Sequence, residues 1–328
     1  NHTGWASTLQ THHPEWFRRQ QNGEFASPGA WGVVWEDLVE LDYAHEELRD
    51  YMAEVFLFWC RQGVDGFRCD AGYMIPEAAW VRIVKLVREQ YPDTVFMLEG
   101  LGGAIDVTDS LLNRAGLDWA YSEIFQTYDR WQFENYLPAA NVRAERFGAL
   151  VHFAETHDND RLAKGGQVYA RLRVALAALL SHQGAWGMAN GVEWFATEKI
   201  DVHGKNDLNW GAGDNMVPLI STLNSLISSH PSFSGVVRQR MIQRGDGNFL
   251  AVLRGDDVLV FANLDCANPV HVQWDAALFP EGVCRDLLGR QDYDLRQGFV
   301  LGPGCFMCLE LKVESGELRV ESGDAMMS

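Results

Sequence analysis

Short apolar segments alternate with longer amphipathic ones from Glu46 to Ser229, and this alternation restricts the chain to few folds. The apolar segments have the length of buried strands, and the segments between them have the length of helices. Strands and helices in such alternation form βα units on a parallel sheet. The sequence therefore predicts an α/β fold with strands that begin at Val64, Thr94, Asp118, Ala149 and Gly184. The predicted helices lie within residues 46–62, 77–90, 106–115, 129–146, 167–182 and 214–229.

The two ends of the chain differ from this central part. Residues 1–45 are rich in Trp, His, Gln and Gly without periodicity, which indicates a long irregular excursion of the kind that usually serves function. After Pro231, short strand-like runs separated by turn residues predict a small antiparallel β domain. These runs are residues 236–243, 249–254, 258–263, 270–274 and 306–312. The acidic, poorly patterned residues 313–328 are predicted to be a disordered tail.

Charge and composition argue against several classes of partner. The net charge of −18, with no run of Lys or Arg, would repel a polyphosphate, so we expect no nucleic acid partner. No stretch of about 18 apolar residues is present, and we expect no membrane partner. The six scattered cysteines favour free thiols and a cytoplasmic location, although the chain begins with Asn1 and an upstream signal peptide stays open.

Three acidic residues follow predicted strands. Asp70 and Glu99 come directly after apolar runs, and Asp158 follows the strand at residues 149–154. The carboxyl ends of parallel strands open onto the face where loops build a site, so acids there are catalytic candidates. A carboxylate at such a position is costly to bury unless it is paired. Separate structural ion pairs would explain any one of these acids, but the three together favour a common site.

The segments around these acids resemble characteristic blocks of the α-amylase family. Residues 66–70, with the sequence GFRCD, resemble its G-F-R-x-D block, residues 95–99 its acid/base strand and residues 157–158 its H-D block. Residues 1–2, Asn-His, are similar to the end of the family's first block. The catalytic blocks stand in the family's order, and their separations of 29 and 59 residues match one and two βα units.

The resemblance implies a partial (β/α)8 TIM barrel of about five βα units at residues 46–232, followed by an antiparallel β-sandwich domain at residues 233–312. Residues 1–45 would be the excursion after the third barrel strand. The chain would then be a fragment that starts near the end of that strand. We therefore expect these 328 residues, expressed alone, to be inactive and to be poorly soluble or dimeric.

The resemblance also implies a retaining glycoside hydrolase that acts on the α-glucosidic bonds of α-glucans or maltooligosaccharides. Asp70 would be the nucleophile that forms a covalent glycosyl-enzyme, and Glu99 would be the general acid/base. Asp158 would grip and distort the reacting sugar ring. The other residues of that subsite would be His2, Arg68 and His157.

The chemistry of these residues is consistent with those roles. The permanent cation of Arg68 favours an ionised Asp70, while burial at the end of an apolar strand favours a protonated Glu99. No cofactor is required for this reaction. Asn1 is the one candidate calcium ligand, and no clear site surrounds it in the sequence.

The chain departs from the family at two places. Tyr73 and Met74 occupy the positions where a typical α-amylase has a Lys-His pair, and Thr156 stands where an Asn commonly precedes the H-D block. Contacts on the leaving-group side therefore differ, and Tyr73 is a candidate substrate-binding residue. A transglycosylase, such as a maltosyl-transferring enzyme with the same carboxylates, is the first alternative. A non-catalytic barrel with a binding or accessory role is the second.

Overall fold

The structure is a computed structural model that describes residues 1–183, 185–275, 282–296 and 298–311. Two short antiparallel ribbons occupy its N-terminal segment. The elements are β1 (His2–Gly4), α1 (Leu9–His12), β2 (Gly29–Ala30), β3 (Val33–Val34) and β4 (Leu38–Glu40). Strand β1 pairs with β4, and β2 pairs with β3. The segment expected to be irregular thus contains strands of two or three residues, which are too short to leave a periodic pattern in the sequence.

A parallel five-stranded sheet with helices between its strands follows. Its elements are α2 (Glu46–Arg61), β5 (Gly66–Cys69), α3 (Glu77–Gln90), β6 (Val95–Leu98), α4 (Ile105–Asn113), β7 (Trp119–Tyr121), α5 (Arg130–Arg146), β8 (Ala149–Phe153), α6 (Gln167–Leu179), β9 (Trp186–Gly187) and α7 (Val217–Ser229). The strands lie in chain order, and all neighbours are parallel. The predicted bounds agree with the observed ones to within three residues. Gly184, the predicted start of β9, lies outside the described residues.

The C-terminal part of the chain is antiparallel. Its strands are β10 (Gln239–Met241), β11 (Phe249–Arg254), β12 (Val258–Asn263), β13 (Val270–Val272), β14 (Val283–Asp286), β15 (Asp292–Asp294), β16 (Phe299–Leu301) and β17 (Phe306–Leu311). Six of them form a sheet in the order β10-β11-β12-β17-β14-β15, and β13 pairs with β16. The sequence did not predict β14, β15 or β16, and the predicted tail at residues 313–328 lies outside the described residues.

An aromatic cluster supports β5 and β6 from the side of the helices. Phe67 and Phe96 are register partners on these strands, and the ring of Phe56 on α2 lies 4.8 and 5.5 Å from theirs. Trp80 of α3 lies 6.2 Å from Phe56. Side chains alternate across a strand, so Arg68 points to the sheet face opposite to Phe67. Packing of the aromatic rings against the helices therefore determines which side chains of β5 face away from them.

Helix α6 joins the two sheets. It contacts β8 and β9 of the parallel sheet and β12 and β17 of the antiparallel one, and every residue from Leu172 to Leu179 is buried. One apolar cluster consequently combines residues of α6 and of the antiparallel sheet, and Trp186 of β9 packs against it. Although α6 is apolar, neither it nor any other helix in the described part of the chain is long and apolar enough to cross a membrane.

Buried polar side chains lie at this junction. The rings of His152 on β8 and His182 after α6 are 5.7 Å apart, and both side chains are fully buried. Arg254 at the end of β11 donates to the carbonyl oxygen of Ser181 at 2.6 Å. Burial, with a smaller contribution from the Arg254 cation, lowers the pKa of His182 to about 4. The folded protein therefore keeps this histidine neutral at pH values where an exposed histidine is protonated.

The junction predicts an acid-sensitive stability. An unfolded histidine binds its proton near pH 6.5, whereas folded His182 does so only near pH 4, so between these values the unfolded state binds more protons. The free energy of unfolding should fall as the pH falls through this window, by up to about 1.4 kcal/mol per pH unit for one group. Urea unfolding of His182→Gln at several pH values should show a shallower dependence. The exposed His203→Gln is the control, and an equal slope in both variants would contradict the assignment.

A buried ion pair connects the loops that follow β8 and β9. Arg161 Nε lies 2.6 Å from Glu155 Oε1, and both side chains are almost completely buried. The Leu162 amide donates to the second oxygen of Glu155 at 2.6 Å, and Arg161 Nη2 donates to the Asn190 carbonyl oxygen at 2.8 Å. These contacts hold together the two loops at the carboxyl ends of β8 and β9.

Breaking this pair should destabilise the fold strongly. Arg161→Met leaves the Glu155 carboxyl buried without its partner, and we expect the free energy of unfolding to drop by about 3–5 kcal/mol. The matched control is Lys164→Met, which breaks an exposed ion pair: the Lys164 side chain is 51% exposed and that of Asp160 71%. This substitution should lower the free energy of unfolding by less than about 1 kcal/mol. Urea denaturation measures both, and equal small losses would show that the buried pair is dispensable.

Candidate active site

Asp70 and Glu99 lie side by side at the carboxyl ends of β5 and β6. Cys69 is the register partner of Leu98, and the Glu99 amide donates to the Cys69 carbonyl oxygen at 3.0 Å. Because neighbouring strands are about 4.8 Å apart, the residues that follow in each strand are also neighbours. The sheet thus brings together two of the three predicted acids, which come from separate βα units.

The Glu99 carboxyl is buried and held by backbone amides. Glu99 is only 8% exposed. Its two carboxyl oxygens accept hydrogen bonds from the backbone amides of Ala71 at 2.8 Å and Leu101 at 2.9 Å. Burial raises the pKa of Glu99 above the usual glutamate value, although the two amides and the Arg68 cation act in the opposite direction. The sequence prediction of a carboxyl that favours its protonated form agrees with this direction.

The turn after Asp70 makes this arrangement. Ala71 has φ 42° and ψ 37°, the left-handed region that costs a non-glycine residue roughly 1–2 kcal/mol. This conformation accompanies the hydrogen bond from the Ala71 amide to the Glu99 carboxylate. Backbone strain of this kind persists where the surrounding contacts hold it, and such positions cluster at functional sites.

Arg68 connects Asp70, at the end of β5, to Tyr121 on β7. Its guanidinium forms an ion pair with the Asp70 carboxylate, whose side chain is 54% exposed, and its Nε lies 3.4 Å from the hydroxyl of Tyr121 on β7. The guanidinium therefore holds one Asp70 oxygen while the rest of this carboxylate faces solvent. Asp70 and Glu99 accordingly occupy different environments, one exposed beside a cation and one buried.

His157 and Asp158 lie in a tight turn after β8. The hydroxyl of Thr156 donates to the Asn159 side-chain oxygen at 2.7 Å and accepts the Asp158 amide at 3.3 Å. His157 Nε2 is 3.4 Å from an Asp158 oxygen, and the Asp158 side chain is 73% exposed. The Thr156 hydroxyl, at the position where the family commonly has an Asn, thus orders the turn that carries these two residues.

A cavity of about 360 Å³ opens beside this turn. His157 and Tyr121 both line it, and Tyr121 is the residue that Arg68 contacts. The remaining lining combines apolar and amide side chains, among them Phe153, Met188 and Asn190. A cavity with apolar walls and a few polar groups suits a sugar ring, which has apolar faces and a hydroxyl rim.

The N-terminal ribbon and the turn after Asp70 bring further predicted residues to this end of the sheet. The His2 ring packs edge-on against Trp35 with centroids 5.9 Å apart, and burial lowers the pKa of His2 while the Asp70 charge opposes that shift. Burial raises the pKa of Tyr73, and the Glu99 and Asp70 charges add to the effect. Both side chains therefore lie within electrostatic reach of Asp70.

The Asn1 amide lies 3.2 Å from His2 Nδ1 and 3.4 Å from Met74 Sδ. Within the described residues no group of three His, Cys, Asp or Glu side chains is arranged to hold a metal ion. Calcium binding by Asn1 stays a prediction. All six cysteines are free thiols.

Sequence reasoning missed Tyr121 and Trp31. Tyr121 ends β7, so its place at a strand end was the available signal, but a tyrosine there is less conspicuous than an acid. Trp31 lies in the N-terminal segment, and its contact with the loop after Glu99 depends on long-range packing that no local pattern records.

Part of the sequence matches a known family model, and the chain is similar to curated proteins. A family model described as "Alpha amylase, catalytic domain" matches residues 31–110, which include Asp70 and Glu99. The α-1,4-glucan:maltose-1-phosphate maltosyltransferases of Corynebacterium pseudotuberculosis and Rhodospirillum rubrum are 24% and 26% identical over 81% and 77% of this chain. The matches cover 41% and 39% of those relatives, so the chain spans about two fifths of their length.

Solved structures show the same fold. An α-amylase from Lactobacillus plantarum superposes with a TM-score of 0.72 at 23% identity, over 94% of this chain and 76% of the other. A maltogenic α-amylase from Thermotoga neapolitana superposes with a TM-score of 0.75 at 21% identity, over 96% and 76%. The parallel sheet is thus part of a (β/α)8 barrel, followed by an antiparallel β region. By its catalytic-domain match, these relatives and this fold, the chain is similar to proteins of the α-amylase family.

Proposed function

We propose that this chain carries the catalytic residues of a retaining enzyme that cleaves α-glucosidic bonds of α-glucans or maltooligosaccharides. The observation that carries the proposal is the pairing of a buried, amide-held Glu99 with an exposed, Arg68-bound Asp70 on adjacent strands. Retaining enzymes need two carboxyl groups about 5–5.5 Å apart, and adjacent strands about 4.8 Å apart suit that separation.

The proposed first step is the displacement of the leaving sugar. A carboxylate oxygen of Asp70 attacks the anomeric carbon as the bond from that carbon to the glycosidic oxygen breaks. Glu99 donates its proton to the departing oxygen, and a covalent glycosyl-enzyme results. The environments fit this division, since burial favours the protonated Glu99, while Asp70 is more exposed and pairs with the Arg68 guanidinium.

In the second step Glu99, now a carboxylate, takes a proton from water or from a sugar hydroxyl. The oxygen so activated attacks the anomeric carbon, and the ester bond to Asp70 breaks. We propose that His157 and Asp158 contact the hydroxyls of the reacting ring from the turn after β8, and that His2 contacts them from β1. The residues of this reaction supply all the required proton transfers, and the proposal includes no cofactor.

Transfer to a sugar or another acceptor is the second candidate. It is favoured by the names of two relatives, which match about four fifths of this chain and are maltosyltransferases. Hydrolysis and transfer share the glycosyl-enzyme and differ only in what reaches it. Incubation with maltotriose separates them, because products longer than the donor require transfer.

Replacement of the acid/base should slow the first step. Glu99→Gln keeps the shape of the side chain but removes the transferable proton, and we expect turnover of maltooligosaccharides to fall by roughly 10²–10⁴-fold. With an aryl α-maltoside, whose leaving group needs little protonation, the rate of the initial burst of aryl release should fall less. The matched control is Glu123→Gln, an exposed acid after β7. Unchanged turnover in Glu99→Gln would contradict the proposal.

The pH dependence should report the buried carboxyl. Because burial raises the pKa of Glu99, the fall of kcat/KM on the alkaline side should lie above the usual glutamate range. The protonated acid is present below that pKa and is lost as the pH rises through it. In Glu99→Gln, the pH profile of kcat/KM for the aryl α-maltoside should lack this alkaline fall. A limb that persists unchanged in the variant would assign it to another group.

A further inference from the structure

We propose that Trp31 is a sugar platform on the acceptor side of the site, and that it favours transfer to a glucosyl acceptor over hydrolysis. The inference rests on the proposed function and adds to it a residue that determines specificity. It arises from three features of Trp31: its exposure, its backbone conformation and its contact with the loop that follows Glu99.

Exposure and backbone conformation indicate that Trp31 does not serve the core. It occupies the tip of the β2–β3 hairpin and is 73% exposed. Its φ of 58°, followed by 76° at Gly32, makes a two-residue turn in the left-handed region. Asn or Asp followed by Gly is the usual choice there, and a bulky residue with positive φ is an outlier. A large apolar side chain that is both strained and exposed lacks a folding reason for its position.

The indole contacts the loop that holds the general acid. A Cβ placed on Gly102 would lie 2.2 Å from the indole nitrogen of Trp31, so the ring fits only against a glycine. The preceding residue, Leu101, donates its amide to Glu99 Oε1 at 2.9 Å. The Tyr73 ring packs in the same way on Gly103, where a Cβ would lie 2.7 Å from the Cβ of Tyr73. Two aromatic residues from separate segments therefore flank one short loop beside Glu99.

The chemistry of the reaction identifies the ligand on this side. Glu99 protonates the glycosidic oxygen, and that oxygen belongs to the leaving sugar in the first step and to the acceptor in the second. Groups next to the Glu99 loop are therefore close to the leaving or acceptor sugar. A glucosyl ring presents an apolar C–H face, and an exposed indole offers a flat apolar surface that can cover it. A sugar held there competes with water for the glycosyl-enzyme.

The test measures how the glycosyl-enzyme is partitioned. With an aryl α-maltoside as donor and maltose as acceptor, aryl release reports formation of the intermediate, and product lengths report transfer against hydrolysis. Trp31→Ala should lower the ratio of transfer to hydrolysis by about tenfold and raise the KM for maltose by a similar factor. Aryl release without maltose should stay within about twofold of the unaltered protein.

Two further variants keep the test specific. Trp31→Phe retains an aromatic face and should recover most of the transfer, and Val33→Ala removes an exposed apolar side chain from the same hairpin and should change nothing. If Trp31→Ala instead lowers aryl release without acceptor, the indole positions Glu99 and the acceptor platform is wrong. An unchanged partition ratio would also overturn it.

Calorimetric titration with maltose separates this inference from the proposed function. Maltose binding does not require turnover, so it tests the platform even where no variant releases the aryl group. Maltose binding that weakens about tenfold in Trp31→Ala but not in Val33→Ala would still support the sugar platform. Equal maltose binding in all variants would reject the platform. Self-association of the protein that Trp31→Ala alone abolishes would also reject it, because the indole would then serve a protein contact.

Discussion

The site depends on how the chain accommodates one buried carboxyl group. An unpaired carboxylate would be costly to place at the end of β6, and the amides of Ala71 and Leu101 reduce that cost by donating to its two oxygens. To do so the chain must turn sharply after β5, which puts Ala71 in the left-handed region. Gly72 then packs so tightly that a Cβ would lie 2.5 Å from the Leu98 side chain. The geometry around Asp70 is therefore a consequence of holding Glu99.

The same arrangement separates the chemistry of the two carboxyl groups. Asp70 and Glu99 are neighbours, and two equivalent carboxyls at that distance would share their protons. Burial acts on Glu99 alone, while the Arg68 guanidinium contacts Asp70 directly. Burial thus favours the protonated form of Glu99, while Asp70 lies more exposed against a cation. The aromatic cluster behind β5 contributes indirectly, because it determines the face to which Arg68 points.

The parts that could be predicted from the sequence were those with local causes. Strands β11 and β12 are observed with their predicted bounds, since six consecutive largely apolar residues between turns leave few alternatives. The acids at strand ends could be found because a charge after an apolar run is unusual. By contrast, β14, β15 and β16 are three or four residues long and depend on pairing with distant partners. The positions of Tyr121 and Trp31, and the left-handed Ala71, arise from tertiary contacts in the same way.

Chemistry and specificity are supported by different parts of this fold. Asp70 and Glu99 follow strands of a parallel sheet whose core is packed by helices, and a shift of either strand would disrupt many contacts. Trp31 lies instead on a hairpin of two-residue strands with an exposed tip, where few contacts oppose a change of sequence. The two acids can thus stay in place while the hairpin varies. In the role proposed for Trp31, a change in this hairpin alters the acceptor and leaves the sheet and the two acids undisturbed.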